Sequence, residues 1–229
     1  MIEGPLLSRP VFSRHGAFFW LVRNLVRVRY TFFLVSLLAA SRRDLPGILI
    51  WVGVVLGSVL LHEIGHASAA RGFGQNPKIE LHAMGGTTTW TWVDGLRWQQ
   101  RVIVSVAGPA FGFVAGSLVW LVSANLPPTG RLGALAISDL VWVNLGWGVF
   151  NLLPILPLDG GQIMETLLER KRGADRARHV TRVVSSFCGG ACILGALVAQ
   201  MPVMAILCAA FTWDNLQRMR GLPGVAFPR

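Results

Sequence analysis

Charge is what this sequence has least of. Asp, Glu, Lys and Arg make up 14% of its 229 residues, against roughly 25% in an ordinary soluble domain. Hydrophobic residues make up 53% and the mean hydropathy is +0.54, which excludes a disordered chain, since segments this apolar do not stay solvated. Cysteine is also scarce. Cys188, Cys192 and Cys208 share one apolar run without a CxxC pair, so they read as small buried hydrophobes and no disulfide framework is expected. An unbroken early apolar stretch is missing as well, because Arg9, Arg14, Arg23, Arg27 and Arg29 interrupt it; no cleavable signal peptide is expected. Negative charge is in the minority, 11 acidic against 21 basic residues, a net charge of +10. On a soluble protein that excess suggests nucleic acid. Here no basic stripe is interleaved with stacking aromatics, and no nucleic-acid partner is expected.

What is there instead is long apolar runs with the basic residues between them, the pattern of membrane topology. Residues 30–41, 45–62, 102–130, 140–158 and 183–213 contain no Asp, Glu, Lys or Arg. A spanning helix needs about 20 apolar residues. The runs 102–130 and 140–158 supply one each, and 45–62 continues through Glu63 and His66 into a helix over about 46–70. The run 183–213 divides near Met201-Pro202 into two helices, the second reaching about Gln217. Residues 30–41 form a short first span, extended at the interface by Val28 and Tyr30. The expected fold is an all-α polytopic membrane protein of about six transmembrane helices, one membrane-embedded domain over 1–229. With both termini cytoplasmic, 18 of the 21 Lys and Arg fall inside and only Arg42, Arg43 and Arg131 outside, and dropping the first or fifth helix spoils this alternation. The arrangement suits a multi-pass protein of the cell (inner) membrane, in contact with the lipid bilayer. Residues 11–29 read as an interfacial segment on the cytoplasmic face. Gly112 and Gly116 form a GxxxG that favours close helix packing.

His62-Glu63-Ile64-Gly65-His66 is an HExxH motif. Residues four apart share one helix face, so both imidazoles can reach one metal, while Glu63 is free to move a proton from an attacking water to a leaving amine. Chance supplies roughly 0.002 such motifs in a chain of this composition. A purely structural reading fails on cost, because two His and a Glu inside an apolar helix are expensive. Two imidazoles and a carboxylate suit zinc. Candidates for the third ligand are His82, Glu80, Asp94, Asp159, Glu165 and Glu169. Depth favours Asp159. At about 1.5 Å per residue, His66 and His62 lie roughly 8 and 14 Å from the cytoplasmic end of their helix, and Asp159 lies roughly 16 Å from its own if 160–171 is helical. His82 is the main alternative. Asp159 also sits in Pro157-Leu158-Asp159-Gly160-Gly161, where Pro154 and Pro157 break the preceding helix and glycines allow close backbone approach. An N-cap role for Asp159 is compatible with ligation. Residues 78–93 read as a β-hairpin: Lys78 to Met84 alternates, Gly85-Gly86 turns, and Thr87 to Val93 is β-branched and aromatic.

With these motifs, the chain resembles the site-2 protease family of intramembrane zinc metalloproteases. The matching pieces are His62 to His66, Asn151-Leu152-Leu153-Pro154-Ile155-Leu156-Pro157-Leu158-Asp159-Gly160-Gly161, Gly108-Pro109 and the Met84-Gly85-Gly86 turn, over about residues 26–172. The resemblance implies that His62, His66 and Asp159 bind one zinc ion, that Glu63 is the catalytic base and that Asn151 contacts substrate or the developing oxyanion. It also implies a membrane-associated hairpin between helices two and three. Gly85 and Gly86 would then lie where an unwound substrate adds as a strand. The catalytic core would cover about 46–172, without a PDZ or CBS module. Control would come from the helices, the basic loop 170–182 or a separate regulatory membrane protein. The expected activity is cleavage of a single-span membrane protein within its transmembrane segment near the cytoplasmic face. The competing readings are a catalytically silent membrane scaffold, a metal transporter and a different HExxH membrane protease. A transporter would want polar residues along a path across several helices, whereas here they concentrate at one depth.

Overall fold

A computed structural model describes residues 5–91, 95–126 and 130–223. Val93, Asp94 and Arg229 lie outside the described residues, as do positions 127–129 of the third apolar run. In chain order the elements are β1 (Val11–Ser13), β2 (Gly16–Leu21), β3 (Asn24–Arg29), α1 (Tyr30–Ala39), α2 (Leu45–Gly72), β4 (Asn76–His82), β5 (Gly85–Thr91), α3 (Trp98–Asn125), α4 (Arg131–Val141), a π-helical turn (Trp142–Gly146), α5 (Trp147–Asn151), α6 (Asp159–Arg172), α7 (Ala174–Val198) and α8 (Pro202–Met219). They form two compact units, one of residues 1–95 with 107–149, the other of 96–106 with 150–229.

Four helical stretches among the described residues are long and apolar enough to cross a membrane: Leu45–Gly72, Trp98–Asn125, Arg131–Asn151 and Ala174–Val198. Their exposed faces carry residues such as Leu118, Leu121, Phe187, Leu194 and Val198, as a helix facing lipid requires. The expected first and last spans differ. α1 has 10 residues, because the strand before it runs up to Arg29. α8 has 18 residues, and its second half carries Asp214, Asn215, Gln217 and Arg218. The fourth span starts at Arg131 rather than near 140. Asp139, which ends the charge-free run, is buried and takes a bidentate pair from Arg43 at 2.6 and 2.8 Å. The basic stretch 170–182 is no loop: α6 and α7 run through it, parted by Gly173 at φ 77°.

In the first unit the fold departs from all-α. Most of residues 11–29 are strands, and β1 to β5 make one sheet in sequence order. All neighbours pair antiparallel except β3 and β4, which run parallel with Val26 opposite Ile79. Val26, Val28, Ile79 and Leu81 form the inner face and join Val54, Val55 and Ala67 of α2 in the core. The expected hairpin is present as β4 and β5. Its turn lies at Ala83-Met84, with Gly85 and Gly86 already in β5 and paired with His82 and Leu81.

α2 begins cleanly. The Asp44 carboxylate accepts the Gly47 N–H at 3.3 Å, and Pro46 stands in the first turn, both standard start devices. Arg131 pairs with Asp44 at 2.8 and 3.1 Å and holds its carboxyl below the usual carboxylate range. Gly112 and Gly116 meet the π-helical turn, where an added Cβ would lie 3.2 Å from the Asn144 carbonyl oxygen and 2.7 Å from Leu145. Their small size is a packing requirement, as the motif implied.

Candidate metal centre

His62, Glu63 and His66 fall in the second half of α2, where the helical repeat turns both imidazoles to one side. Their Nε2 atoms lie 3.0 Å apart. With Glu63 they form a group of potential metal-ligating side chains whose ligand atoms lie within 4.8 Å of one another, among the described residues. Glu63 and His66 are buried and His62 is half-buried. Two nitrogens on one tetrahedral zinc stand roughly 3.3 Å apart at ordinary bond lengths, so the imidazole pair fits that ion with little adjustment.

Glycines keep the surroundings close but open. A Cβ on Gly65 would lie 2.6 Å from the Ala107 carbonyl oxygen, so α3 backs directly onto α2. A Cβ on Gly108 would collide with His66 Nε2 and lie 2.7 Å from His62 Nε2. Only a residue without a side chain leaves the space in front of both nitrogens available.

Glu63 is fixed from the sheet. The period of two along β5 turns Gly86 and Thr88 toward α2. Thr88 lies with its hydroxyl 2.6 Å from Glu63 Oε2 and 3.2 Å from the Glu63 carbonyl oxygen. A Cβ on Gly86 would lie 2.5 Å from Glu63 Cγ. The strand therefore needs glycine where it crosses the carboxylate and a hydroxyl one pair further on. Thr88 was not singled out in the sequence. Its signal was the alternation Gly86, Thr88, Trp90 once residues 85–91 are read as a strand.

The other candidate ligands are engaged elsewhere. His82 accepts the Met84 N–H on Nδ1 at 3.2 Å, so its Nε2–H donates to Thr87 Oγ1 at 2.8 Å. Burial holds its imidazole below the ordinary histidine pKa, the Glu80 charge opposing and Arg29 reinforcing that shift. A neutral ring with both nitrogens used is a hairpin-tip brace. Glu80 pairs with Arg29, Glu169 with Arg101 at 2.6 Å, and Glu165 lies 3.6 Å from Arg178.

Asp159 and Asn151 belong to the second unit. Asn151 ends α5 and is half-buried. Asp159 opens α6 and is buried, with Leu158 as the capping residue, so Asp159 is the first helical residue rather than the cap. Gly160 and Gly161 lie against the preceding segment, where a Cβ would stand 2.5 Å from the Leu153 carbonyl oxygen and 2.6 Å from the Ile155 carbonyl carbon. The paired glycines thus let residues 152–156 fold back over the start of α6.

Comparison with known proteins agrees with this architecture. Residues 135–195 match the model of peptidase family M50, a stretch that includes Asn151 and Asp159. A zinc metalloprotease of Methanocaldococcus jannaschii is 28% identical over 162 residues, 70% of this chain and 46% of that protein. A Mycobacterium tuberculosis protein named as a zinc metalloprotease, Rip3, is 31% identical over 156 residues, 63% of this chain and 39% of that one. The chain thus spans less than half the length of these relatives. The solved site-2 protease from Methanocaldococcus jannaschii shares the fold, with a TM-score of 0.68 at 21% identity over 97% of this chain and 100% of that one. Over residues 135–195 this integral membrane protein is thus similar to peptidase family M50, its relatives are named zinc metalloproteases, and its fold is that of a site-2 protease.

Proposed function

We propose that the chain is an intramembrane zinc endopeptidase that cuts transmembrane segments of single-span membrane proteins near the cytoplasmic face. The observation that carries this reading is the His62, Glu63 and His66 cluster on an apolar helix, half-buried at His62 and buried at the other two, with its carboxylate braced by β5. An apolar helix does not hold such a cluster without return.

In this reading His62, His66 and Asp159 hold one zinc ion per chain. Bound zinc supplies Lewis acidity toward the scissile carbonyl and toward water. Glu63 takes the proton of the attacking water and passes it to the leaving nitrogen, while the Asn151 amide donates to the developing oxyanion. A helical substrate hides its peptide bonds in its own hydrogen bonds, so it must unwind first. β5 ends the sheet order, and the edge running from Gly85 and Gly86 offers the extended segment a strand partner beside Glu63. Passages through the bilayer by α1 and α8 in addition to the four long helices give six, with both termini cytoplasmic. The excess of Lys and Arg assigned to that side supports this, and an inner-membrane location with a separate regulatory membrane protein completes the reading.

Zinc content of the purified protein tests the ligand set. Wild type should carry close to one zinc per chain, His62→Ala and Asp159→Asn should lose it, and His82→Ala should keep it. Full zinc in Asp159→Asn, or loss in His82→Ala alone, would refute the assignment.

A further inference from the structure

The segment 152–158 joins α5 to α6 through irregular backbone in the second unit, between an apolar helix and Asp159. Within the depth of a bilayer such backbone is tolerated only where its polar groups are satisfied by protein. The segment satisfies part of this itself. Leu153 N–H donates to Phe150, Ile155 N–H to Leu153 and Leu158 N–H to Ile155, at 3.1, 2.7 and 2.7 Å. Pro154 and Pro157 have no N–H to satisfy, and Gln162 Nε2 donates to the Pro157 carbonyl at 3.0 Å.

The remaining needs centre on Leu156 and are met from the two C-terminal helices. Its N–H donates to Ser185 Oγ of α7 at 2.9 Å, and the same hydroxyl lies 3.3 Å from the Pro154 carbonyl it donates to. The Leu156 carbonyl accepts from Asn215 Nδ2 of α8 at 2.7 Å. Ser185 is 0% and Asn215 1% exposed. Polar side chains this deep in apolar helices cost free energy unless they answer other buried polar groups. Asn215 Nδ2 also donates to the Phe211 carbonyl of its own helix at 2.8 Å; its other bond and both of Ser185's serve the segment that leads to Asp159.

We propose that Ser185 and Asn215 are positioning residues that clamp segment 152–158 and so hold Asp159 ready for the metal. The proposal rests on the reading of Asp159 as a zinc ligand. It gives the C-terminal helix pair a task in the metal centre although it contributes no ligand, comparable to an outer partner that orients a metal-binding side chain.

The test uses the full-length protein in lipid nanodiscs, comparing wild type with Ser185→Ala, Asn215→Ala, Ser185→Thr and Asp159→Asn. Amide hydrogen exchange is read over 152–158 in the zinc-free protein, and zinc affinity by titration. In both alanine variants exchange over 152–158 should rise about tenfold or more while exchange in α2 stays at the wild-type rate, and zinc affinity should fall about tenfold. Ser185→Thr keeps the hydroxyl and should show smaller changes than Ser185→Ala, although its added methyl crowds a buried site. Unchanged exchange over 152–158 in the alanine variants overturns the clamp. So does raised exchange with unaltered zinc affinity when Asp159→Asn has lost zinc. If Asp159→Asn retains zinc, the ligand assignment fails instead, and exchange alone then decides whether the clamp exists.

Discussion

Glu63→Gln should lower turnover by about 10²–10⁴, the range for loss of a positioned general base, while zinc stays bound and KM changes little. The geometry supports so clean a separation. Glutamine has the length of glutamate, and Thr88, with its hydroxyl 2.6 Å from Oε2, can bond an amide as well as a carboxylate. Gly86 leaves room for the same rotamer. Only the capacity to accept a proton is lost. Turnover and zinc content measured on one preparation check this; a fall in zinc matching the fall in turnover would make Glu63 a ligand rather than a base.

Gly108→Ala is the second large effect, and it separates the space beside the imidazoles from the ligands themselves. The new Cβ would collide with His66 Nε2 and stand 2.7 Å from His62 Nε2. Both nitrogens belong to rings on the rigid α2, so the methyl is accommodated only by turning the imidazoles away or parting α2 from α3. Overpacking of this kind costs about 1–3 kcal/mol, roughly a factor of 5–150 in zinc affinity if it falls on the metal-bound state. Gly57→Ala in the same helix α2 is the control, since a Cβ there meets nothing within 4 Å. Equal zinc affinity in the Gly108→Ala and wild-type proteins would show that the metal does not occupy the space in front of these two nitrogens.

The His62, Glu63 and His66 cluster was legible because its signal is local. An i, i+4 pair on a helix needs no tertiary information, and the start of α6 at Asp159 follows from prolines and glycines a few residues away. The GxxxG contact was legible for the same reason. The sheet was not. β3 alternates buried Asn24, Val26 and Val28 with half-buried Leu25, Arg27 and Arg29, a strand period that the interspersed arginines obscured. Its partner β4 lies about fifty residues on, beyond α2, and no local pattern reports a pairing that distant. Span boundaries drawn from charge-free runs erred wherever a charge is neutralised inside the fold. Asp139 stopped the fourth run on paper, yet Arg43 lets it sit inside the helix. Thr88 and Asn215 share the reason they were overlooked: each matters for the atom it meets across the fold, and neither belongs to a motif.

The most direct test of the proposed function is where the bond is cut and whether zinc is needed. The purified chain is placed in lipid vesicles with a single-span membrane protein tagged at both ends, and the products are mapped by mass spectrometry before zinc removal, after it, and after zinc is restored. The account predicts a cut inside the apolar span toward its cytoplasmic end, lost with the metal and regained with zinc. A cut confined to the water-exposed flanks, or one that persists in the zinc-free protein, would contradict it.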